Sequence, residues 1–382
     1  MSVLAKMRTT KAMPWAFGFC LSAVLVLLLW GENSYIGPML FGVENTEMPV
    51  SRTSMVATKH VFKEYSKWVY EKENTPQNTD QNTGQNTPQN TVLVACSIAN
   101  EKSFGGGRSF ADLYQVIGSL QYPQSAINLS FYCGSAGALD MVQAFFDAAT
   151  KHDSYPYAKV TILYAPFLQT SFESSDHSPG VQRQRRRSIA RGRNFVVLNS
   201  LDAEAYTLFL DADIVRLDHR DMLRRFVDSG NDIIVPRVER GESSDYDRNS
   251  WRGHRITPSQ TQLALMDDNK WADADFEPRD VASEMFHLGD HVEQTKDVPE
   301  SDERRQLSYV EPLDSVGGAV LFAKSIIYKQ GVVFPPINVV GTSWARHEGY
   351  DGIETEGLCY MARPLGYQCV AMPNLVAQHY SK

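Results

Sequence analysis

The sequence predicts an α/β fold, with a mostly parallel sheet flanked by helices, that follows an N-terminal membrane-spanning helix. From Thr91 onward, apolar β-branched segments alternate with segments of helical spacing, which is typical of parallel sheets with crossover helices. An uncharged run occupies residues 12–30. One apolar segment, YTLFLDADIV, runs directly into Asp211 and Asp213, so we expect a ligand site there.

Composition limits the classes of function. The chain has 382 residues and is 43% apolar, which is enough for one large domain or two ordinary ones with a sizeable core. The net charge is −8, and a negative net charge argues against a general nucleic-acid binder.

The run at residues 12–30 predicts a membrane anchor. As a helix it would span roughly 28 Å, close to the hydrocarbon thickness of about 30 Å. The basic segment 1–11 precedes it, and Glu32 is the first charge after it. The basic flank should stay in the cytosol, which predicts a single-pass type II membrane protein with its body across the membrane. The alternative is a cleavable signal peptide, but the run is long and no small-x-small pattern follows it.

Residues 31–91 are predicted to form a stem and a linker. Apolar side chains at helical spacing predict a short stem helix over residues 57–73. Residues 74–91 repeat every four residues without one apolar side chain, so they cannot bury a core and should be disordered. The body is predicted to cover residues 92–382.

The first half of the body alternates regularly between strands and helices. Strands are predicted at 91–100, 127–134, 158–166 and 205–215, and helices at 109–123, 138–152 and 187–202. In parallel sheets of this kind, ligands bind beyond the carboxyl ends of the strands. Asp211 and Asp213 therefore lie where a ligand is expected.

Two carboxylates one residue apart predict a cation site. In a strand, Asp211 and Asp213 would point to the same face, and they repel each other unless something positive lies between them. Oxygen ligands suit Mg²⁺ or Mn²⁺, which keep coordination positions for phosphate oxygens. The alternative is a capped turn in which Asp213 caps a following helix.

Two further motifs supply candidate binding residues. In QRQRRRSIARGR we favour Arg191 for phosphate contact, because it precedes Asn194 on the helix that leads to the acidic strand. The alternative for this run is a solvated helix face. In YDRNSW, the polar and aromatic side chains of Tyr246, Asn249 and Trp251 suit sugar recognition, and a hydrogen-bonded turn is the alternative.

Three later motifs also bear on a site. Gly317 and Gly318 precede an apolar strand, where glycine lets the backbone approach a ligand; a bulge is the alternative. Glu354 and Glu356 in GIETEG share a face if the segment is extended and diverge if it is helical. His379 follows a short predicted strand and is either a third metal ligand or a structural histidine.

The body contains Cys96, Cys133, Cys359 and Cys369. Four cysteines allow three pairings, and the sequence alone does not choose among them. Free buried thiols are equally compatible with the pattern.

Seven stretches together resemble a known family. They are RGRNF, LFLDADIV, DIIVPRV, YDRNSW, DSVGGAVLFAK, IETEG and PNLVAQHYSK. In order and rough spacing they are similar to the Golgi mannosyltransferases that build fungal mannan, which are subunits of the α-1,6-mannan polymerase complexes and form glycosyltransferase family 62. The resemblance covers about residues 91–382.

The resemblance implies a Rossmann-like GT-A fold, GDP-mannose as donor, Mn²⁺ (or Mg²⁺) as cofactor and retention of anomeric configuration. It also implies an α-1,6 linkage to a mannose-containing glycan acceptor, a Golgi (or ER) membrane location with a lumenal catalytic domain, and partner mannosyltransferase subunits. By the same resemblance, Asp211 and Asp213 become metal and nucleotide ligands, Glu354 and Glu356 face the acceptor and the reacting sugar, and His379 completes the metal shell. Of the two glutamates, Glu356 is the candidate for the carboxylate near the reacting sugar.

The chain departs from the family pattern in its four-residue repeat, in a glycine-rich segment at residues 97–110 and in an acidic stretch at residues 267–305. These departures leave two alternatives open. One is a transferase that uses another donor, such as GDP-fucose or a UDP-sugar. The other is a non-catalytic scaffold subunit of a mannosyltransferase complex.

Overall fold

The computed structural model describes most of the predicted body. The described residues are 55–72, 90–150, 156–169, 179–253, 255–268, 270–276, 279–281, 283–337 and 352–381. The predicted anchor at 12–30 and nearly all of the repeat linker lie outside these ranges. Within them, no helix combines the length and the apolar character needed to cross a bilayer.

The strands within the described ranges belong mainly to one large sheet. They are β1 (Met55–Val61), β2 (Ser66–Lys72), β3 (Val92–Ile98), β4 (Ile127–Cys133), β5 (Lys159–Tyr164), β6 (Tyr206–Leu210), β7 (Ile214–Leu217), β8 (Ile233–Glu239), β9 (Trp251–Arg252), β10 (Phe286–His287), β11 (Glu311–Leu313), β12 (Val320–Lys324) and β13 (Cys369–His379).

The described α-helices are α1 (Phe110–Gly118), α2 (Ala136–Thr150), α3 (Pro179–Ser200), α4 (Met222–Ser229), α5 (Gln260–Asp267), α6 (Trp271–Ala274), α7 (Leu288–Thr295), α8 (Ser325–Lys329) and α9 (Thr355–Ala362). Short 3₁₀ helices occupy Gln124–Ala126, Pro166–Leu168, Glu303–Arg305 and Arg363–Leu365.

The sheet is mixed rather than mostly parallel. Its strands follow the order β1-β2-β5-β4-β3-β6-β12-β8-β13-β11, and β7 pairs with β13. The predicted parallel arrangement holds for β5, β4, β3 and β6. It fails beyond β6, because β12 enters between β6 and β8 and runs antiparallel to both. The regular alternation of strands and helices ends near this point of the sequence, so nothing forces a parallel crossover there.

Residues 55–72 form a β-hairpin, not the predicted stem helix. β1 and β2 pair in antiparallel fashion, and β2 extends the sheet by pairing with β5. Tyr70 is only 3% exposed, and its hydroxyl donates to Asp147 on α2. The sheet therefore begins before the predicted start of the body at residue 92.

Helices cover both faces of the sheet. Alternate residues of β3 contribute to two separate core clusters, with Val94 and Cys96 in one and Ala95 in the other. The first cluster includes residues of α1, α2 and α4, and the second includes residues of α3, α8 and α9. The result is a three-layer arrangement that leaves the carboxyl ends of β3 and β6 free to form a site.

The structure chooses among the cysteine pairings. Cys359 on α9 and Cys369 at the start of β13 form a disulfide bond, whereas Cys96 and Cys133 are free and buried. The disulfide joins the helix that begins within the GIETEG segment to the strand that carries His379.

Candidate active site

A cavity of about 460 Å³ lies where β3 and β6 end. Ser97 and Asn100 line it from β3 and the following loop, and Tyr132 lines it from β4. Asp211 and Asp213 line it from the turn after β6. The cavity thus lies at the edge of the sheet where the sequence predicts a ligand.

Asp213 and His379 meet because β7 pairs with β13. His379 lies opposite Ile214 in this pairing, and the Tyr380 N–H donates to the Asp213 carbonyl at 2.9 Å. The Nε2 of His379 is 3.0 Å from Asp213 Oδ2, and its Nδ1 is 2.9 Å from the Tyr380 carbonyl. Burial opposes protonation of His379, but the hydrogen bond and charge of Asp213, together with the Tyr380 carbonyl, outweigh it and raise the pKa of the imidazole.

Asp211 faces a different partner, so the two aspartates do not act as a same-face pair. Its Oδ1 is 3.1 Å from Arg193 Nη2. The expected strand alternation does not apply, because β6 ends at Leu210 and the chain turns. The surrounding protein desolvates the Asp211 carboxylate and raises its pKa to about 7, against the opposing charge of Arg193, even though 41% of the side chain is still accessible from the cavity.

Arg193 is the cation at the centre of this site. It is 4% exposed, and its Nη2 donates to the Gly318 carbonyl at 2.9 Å. Its Nε is 3.3 Å from Glu354 Oε1. The guanidinium also lies over the rings of Phe209 and Phe334, 5.3 and 5.7 Å from their centroids. These contacts fix its position from several sides.

Glu354 and Glu356 diverge, as the helical alternative predicts, because α9 begins at Thr355. Glu354 lines the cavity. Glu356 is 1% exposed and does not line it; Arg186 and Arg255 lie 2.7 and 2.8 Å from its carboxylate. Burial opposes ionisation of Glu356, but the two guanidinium groups outweigh it and lower its pKa. The structure therefore does not place Glu356 beside a bound sugar.

The glycine pair makes room for protein side chains rather than for a ligand. Asp247 Oδ2 accepts hydrogen bonds from the N–H groups of Gly318 and Ala319 at 2.8 and 3.0 Å. A Cβ on Gly317 would collide with the Asp247 carboxylate, and one on Gly318 would crowd Arg193. The expectation that Gly317 and Gly318 admit a ligand is thus replaced by a packing role.

On α3, the arginine that lines the cavity is Arg193 and not the predicted Arg191. Arg191 is exposed and does not line the cavity, whereas Arg193 does. Residues two apart on an α-helix point about 200° apart, so only one of the two can face the sheet. Asn194 instead holds a loop, because its amide donates to the Phe334 carbonyl and accepts from the Phe334 N–H, at 2.7 and 2.8 Å.

The predicted sugar-binding residues of the YDRNSW motif lie in different environments, some near the site and some in the core. Tyr246 is 38% exposed, and its ring centroid is 4.4 Å from that of His379. Trp251 is 3% exposed and lies under the guanidinium of Arg255 at 4.9 Å, so it offers no open face to a sugar. Asn249 is half-buried in the turn before β9.

The sequence reasoning missed Arg193 and Asp247 as site residues. A signal for Arg193 exists, since Ala190 and Val196 lie three residues before and after it and are both fully buried. A charged residue in register with an apolar helix face needs a buried partner. Asp247 has no comparable signal, because its partners are backbone amides distant in sequence.

Within the described ranges, no group of three or more His, Cys, Asp or Glu side chains comes close enough together to hold a metal ion. Of the predicted trio Asp211, Asp213 and His379, the structure pairs only Asp213 with His379. Arg193 occupies one oxygen of Asp211.

The fold and the site define a mixed α/β protein with a cavity at the carboxyl edge of its sheet, lined by three carboxylates and two arginines. The chain belongs to the Anp1 family, whose model matches residues 70–338, more than half of the chain.

Fungal relatives share this family resemblance along the body. Mannan polymerase complex subunit MNN9 of Candida albicans is 25% identical over 71% of this chain and 72% of its own length. The mannan polymerase I complex VAN1 subunit of Saccharomyces cerevisiae is 29% identical over 60% of this chain but only 40% of its own length. The mannan polymerase II complex anp1 subunit of Schizosaccharomyces pombe is 27% identical over 68% of this chain and 58% of its own length.

Among solved structures, the mannosyltransferase PcManGT from Pyrobaculum calidifontis, in complex with GDP-Man and Mn²⁺, matches with a TM-score of 0.38 and 11% identity. The match covers 75% of this chain and 56% of that one.

Proposed function

We propose that this chain is a metal-dependent, retaining glycosyltransferase of the GT-A type. In this proposal it transfers mannose from GDP-mannose to a mannose-containing glycan through an α-1,6 linkage. The observation that supports it most is the pairing of His379 with Asp213, which lines a cavity at the carboxyl edge of the sheet. Membership of the Anp1 family and the names of the mannan polymerase relatives support the choice of mannose.

Asp213 and His379 would hold the cation. The Nδ1 of His379 donates to a backbone carbonyl, an arrangement that orients imidazole ligands in metal sites and leaves Nε2 as the ligand atom. Two protein ligands leave coordination positions for diphosphate oxygens, as Mg²⁺ and Mn²⁺ sites usually do. Because a histidine must be neutral to bind a metal ion and pairing with Asp213 raises the pKa of His379, ion binding should be weaker at low pH. When bound, the ion supplies a Lewis acid that neutralises charge on the departing diphosphate.

Arg193 would favour the ionised forms of Asp211 and Glu354 beside the ligand. Burial raises the pKa of both carboxyl groups, and the guanidinium opposes that rise. With its own hydrogen bond to the Gly318 carbonyl, it also fixes where Asp211 points. Asp211 is then available to hold the nucleotide.

Glu354, rather than Glu356, is the carboxylate that we place beside the reacting sugar. It lines the cavity, whereas Glu356 is enclosed by two arginines. This position suits either a carboxylate nucleophile or support for attack from the leaving-group side. Unaltered turnover in a Glu354→Gln enzyme would exclude both roles.

The test of the proposed activity is transfer from GDP-mannose to short α-mannosides in the presence of Mn²⁺, with the product linkage assigned by NMR. An Asp213→Asn variant should stay folded and lose about 10²–10³ in rate, the usual cost of one electrostatic contact to the transition state. Asp228→Asn, an exposed position on α4, is the matched control and should keep full activity. Near-normal turnover of Asp213→Asn would refute the metal assignment.

A panel of GDP-mannose, GDP-fucose and UDP-sugars separates the alternatives. Transfer from a different donor would keep the reaction class and change the substrate. Absence of both transfer and donor hydrolysis across the whole panel would favour the scaffold subunit.

We also propose that the body lies in the Golgi lumen (the ER is the alternative), held by a single-pass type II anchor at residues 12–30. The Cys359–Cys369 bond supports this, because disulfides persist mainly in oxidising compartments. In sealed Golgi vesicles, an epitope after residue 381 should resist added protease. Digestion without detergent would contradict the proposal.

The relatives' names describe subunits of mannan polymerase complexes, and we propose that this chain also assembles with other mannosyltransferase subunits. A tagged full-length chain should elute, by size-exclusion chromatography with light scattering, at a mass well above that of one chain. A monomer mass in mild detergent would argue against stable assembly.

A further inference from the structure

A row of alternating charges leads from the cavity, past the buried Glu356, to the exposed Asp280. Its members, in order, are Arg193, Glu354, Arg186, Glu356, Arg255 and Asp280. The separations between successive charged atoms are 3.3, 3.8, 2.7, 2.8 and 3.4 Å. Arg193 and Glu354 line the cavity, and Asp280 lies in the acidic stretch 267–305 that the sequence marks as a departure from the family pattern.

Stability alone does not account for this row. Glu356 is 1% exposed, and taking charges out of water costs free energy that ion pairing only partly returns. Buried ion pairs can often be replaced by apolar side chains without loss of stability. A buried charge that does not line the cavity therefore points to a role in fixing geometry.

The backbone conformation that these charges would hold in place is the turn at Glu354. Its φ of +68° lies in a region that L residues other than glycine rarely adopt. Such a conformation persists only where the surroundings determine it from several sides. Here the Glu354 N–H donates to the Pro335 carbonyl at 2.8 Å, and Arg186 donates to the Ile353 carbonyl at 2.6 Å. Arg186 contacts both glutamates, and Glu356 anchors it at 2.7 Å.

We propose that Glu356 is a positioning residue: through Arg186 it holds the carboxylate of Glu354 in the cavity, and through Arg255 it links that carboxylate to the segment around Asp280. This inference rests on the proposed function, since it assigns Glu354 a place beside the reacting sugar. In this proposal Arg186 connects Glu356 to Glu354, because its guanidinium contacts both carboxylates and the backbone of the turn.

The kinetic test is the Glu356→Gln variant of the full-length chain, assayed with GDP-mannose, Mn²⁺ and an α-mannoside. A misplaced Glu354 should lower kcat about a hundredfold, the order expected for a displacement of about 1 Å. The KM for donor should change less than about twofold, because an interaction made only in the transition state appears in kcat. Glu356→Asp, which keeps the charge, should recover part of the lost rate.

The control separates positioning from loss of stability. Asp232 pairs with Lys324 at 2.8 Å near the opposite edge of the sheet, at the start of β8. Asp232→Asn also removes one carboxylate charge. Its kcat, calculated from the concentration of GDP-binding sites, should equal that of the parent chain. Equal falls in kcat for the Asp232→Asn and Glu356→Gln variants would overturn the positioning role.

A double-mutant cycle tests the link without catalysis. The urea unfolding midpoint is measured for Glu354→Gln, Glu356→Gln and the double variant. The shift of the double variant should differ from the sum of the two single shifts, because both carboxylates share Arg186. Additive midpoints would overturn the inference whether or not the chain transfers mannose. Coupled midpoints in a chain without any transfer activity would instead refute the proposed function and leave the link standing.

Discussion

Arg193 shows how one buried side chain organises the site. Its guanidinium lies between Asp211 and Glu354, against the carbonyl of Gly318 and over two aromatic rings. A cation enclosed in this way cannot be replaced by an apolar side chain of similar size without leaving Asp211 uncompensated and Glu354 with Arg186 as its remaining cation.

The first prediction at this scale concerns Arg193→Met. Removing one member of a buried ionic group typically costs about 3–5 kcal/mol, so the urea unfolding midpoint should fall by a corresponding amount. Arg191→Met, two positions away on the exposed face of α3, is the matched control and should stay within about 0.5 kcal/mol of the parent chain. Similar midpoints for the two variants would show that Arg193 is not a structural cation.

The residue scale is also where sequence reasoning was least reliable. Of the residues that sequence reasoning selected, Asp211, Asp213 and Glu354 line the cavity and His379 pairs with Asp213. Glu356, its candidate beside the sugar, does not line the cavity. Sequence reasoning preferred Arg191 to Arg193, since the choice depends on the rotation of α3 about its axis, which is set by packing. The positive φ of Glu354 also left no signal in the sequence.

At the scale of elements, the strand β12 depends on the two glycines before it. Gly317 gives its N–H to Ser250 Oγ at 2.9 Å, and a Cβ at this position would meet the Asp247 carboxylate. Gly318 and Ala319 give their N–H groups to the same carboxylate. The start of β12 is thus shaped by Asp247, which is 70 residues or more away in sequence.

Gly317→Ala should therefore destabilise the protein by about 1–3 kcal/mol, the usual cost of overpacking. Gly118→Ala is the comparison, because Gly118 lies exposed at the end of α1, and a methyl group added there would meet nothing within 4 Å. It should be neutral or stabilising by up to about 1 kcal/mol. Thermal unfolding of both variants tests this, and an unchanged Tm for Gly317→Ala would refute the packing role.

The hairpin formed by β1 and β2 shows why one element was predicted wrongly. Apolar residues in 57–73 happen to recur at helical spacing, but pairing with β5 supplies backbone hydrogen bonds and buries Tyr70. Tertiary contacts of this kind override local pattern. The strands and helices from β3 to β6 were predicted in the right order, because each has a long, regular apolar pattern. Their bounds were less accurate, since α3 begins at Pro179 and the strand predicted at 205–215 divides into β6 and β7.

At the scale of the whole molecule, the sequence predicts the parallel half of the sheet and not its mixed remainder. Short strand–helix repeats limit β3, β4, β5 and β6 to a parallel arrangement with right-handed crossovers. The later strands are joined by less regular connecting segments. Their order and direction therefore depend on tertiary contacts, which no local sequence pattern predicts. The cavity forms where the two halves meet, which is why the presence of a site could be predicted while most of its supporting contacts could not.

The last prediction concerns ligand linkage in the full chain. If one cation bridges Asp213, His379 and a nucleotide diphosphate, GDP and Mn²⁺ together should raise Tm by more than the sum of their separate effects. A ligand at 100 times its Kd adds about 2.7 kcal/mol to the free energy of unfolding, which corresponds to several degrees for a domain of this size. Asp213→Asn should lose the synergy and Asp228→Asn should keep it. Purely additive Tm shifts would mean that the ion and the nucleotide bind independently. An equal Tm shift with UDP in place of GDP would show that the cavity does not select guanine.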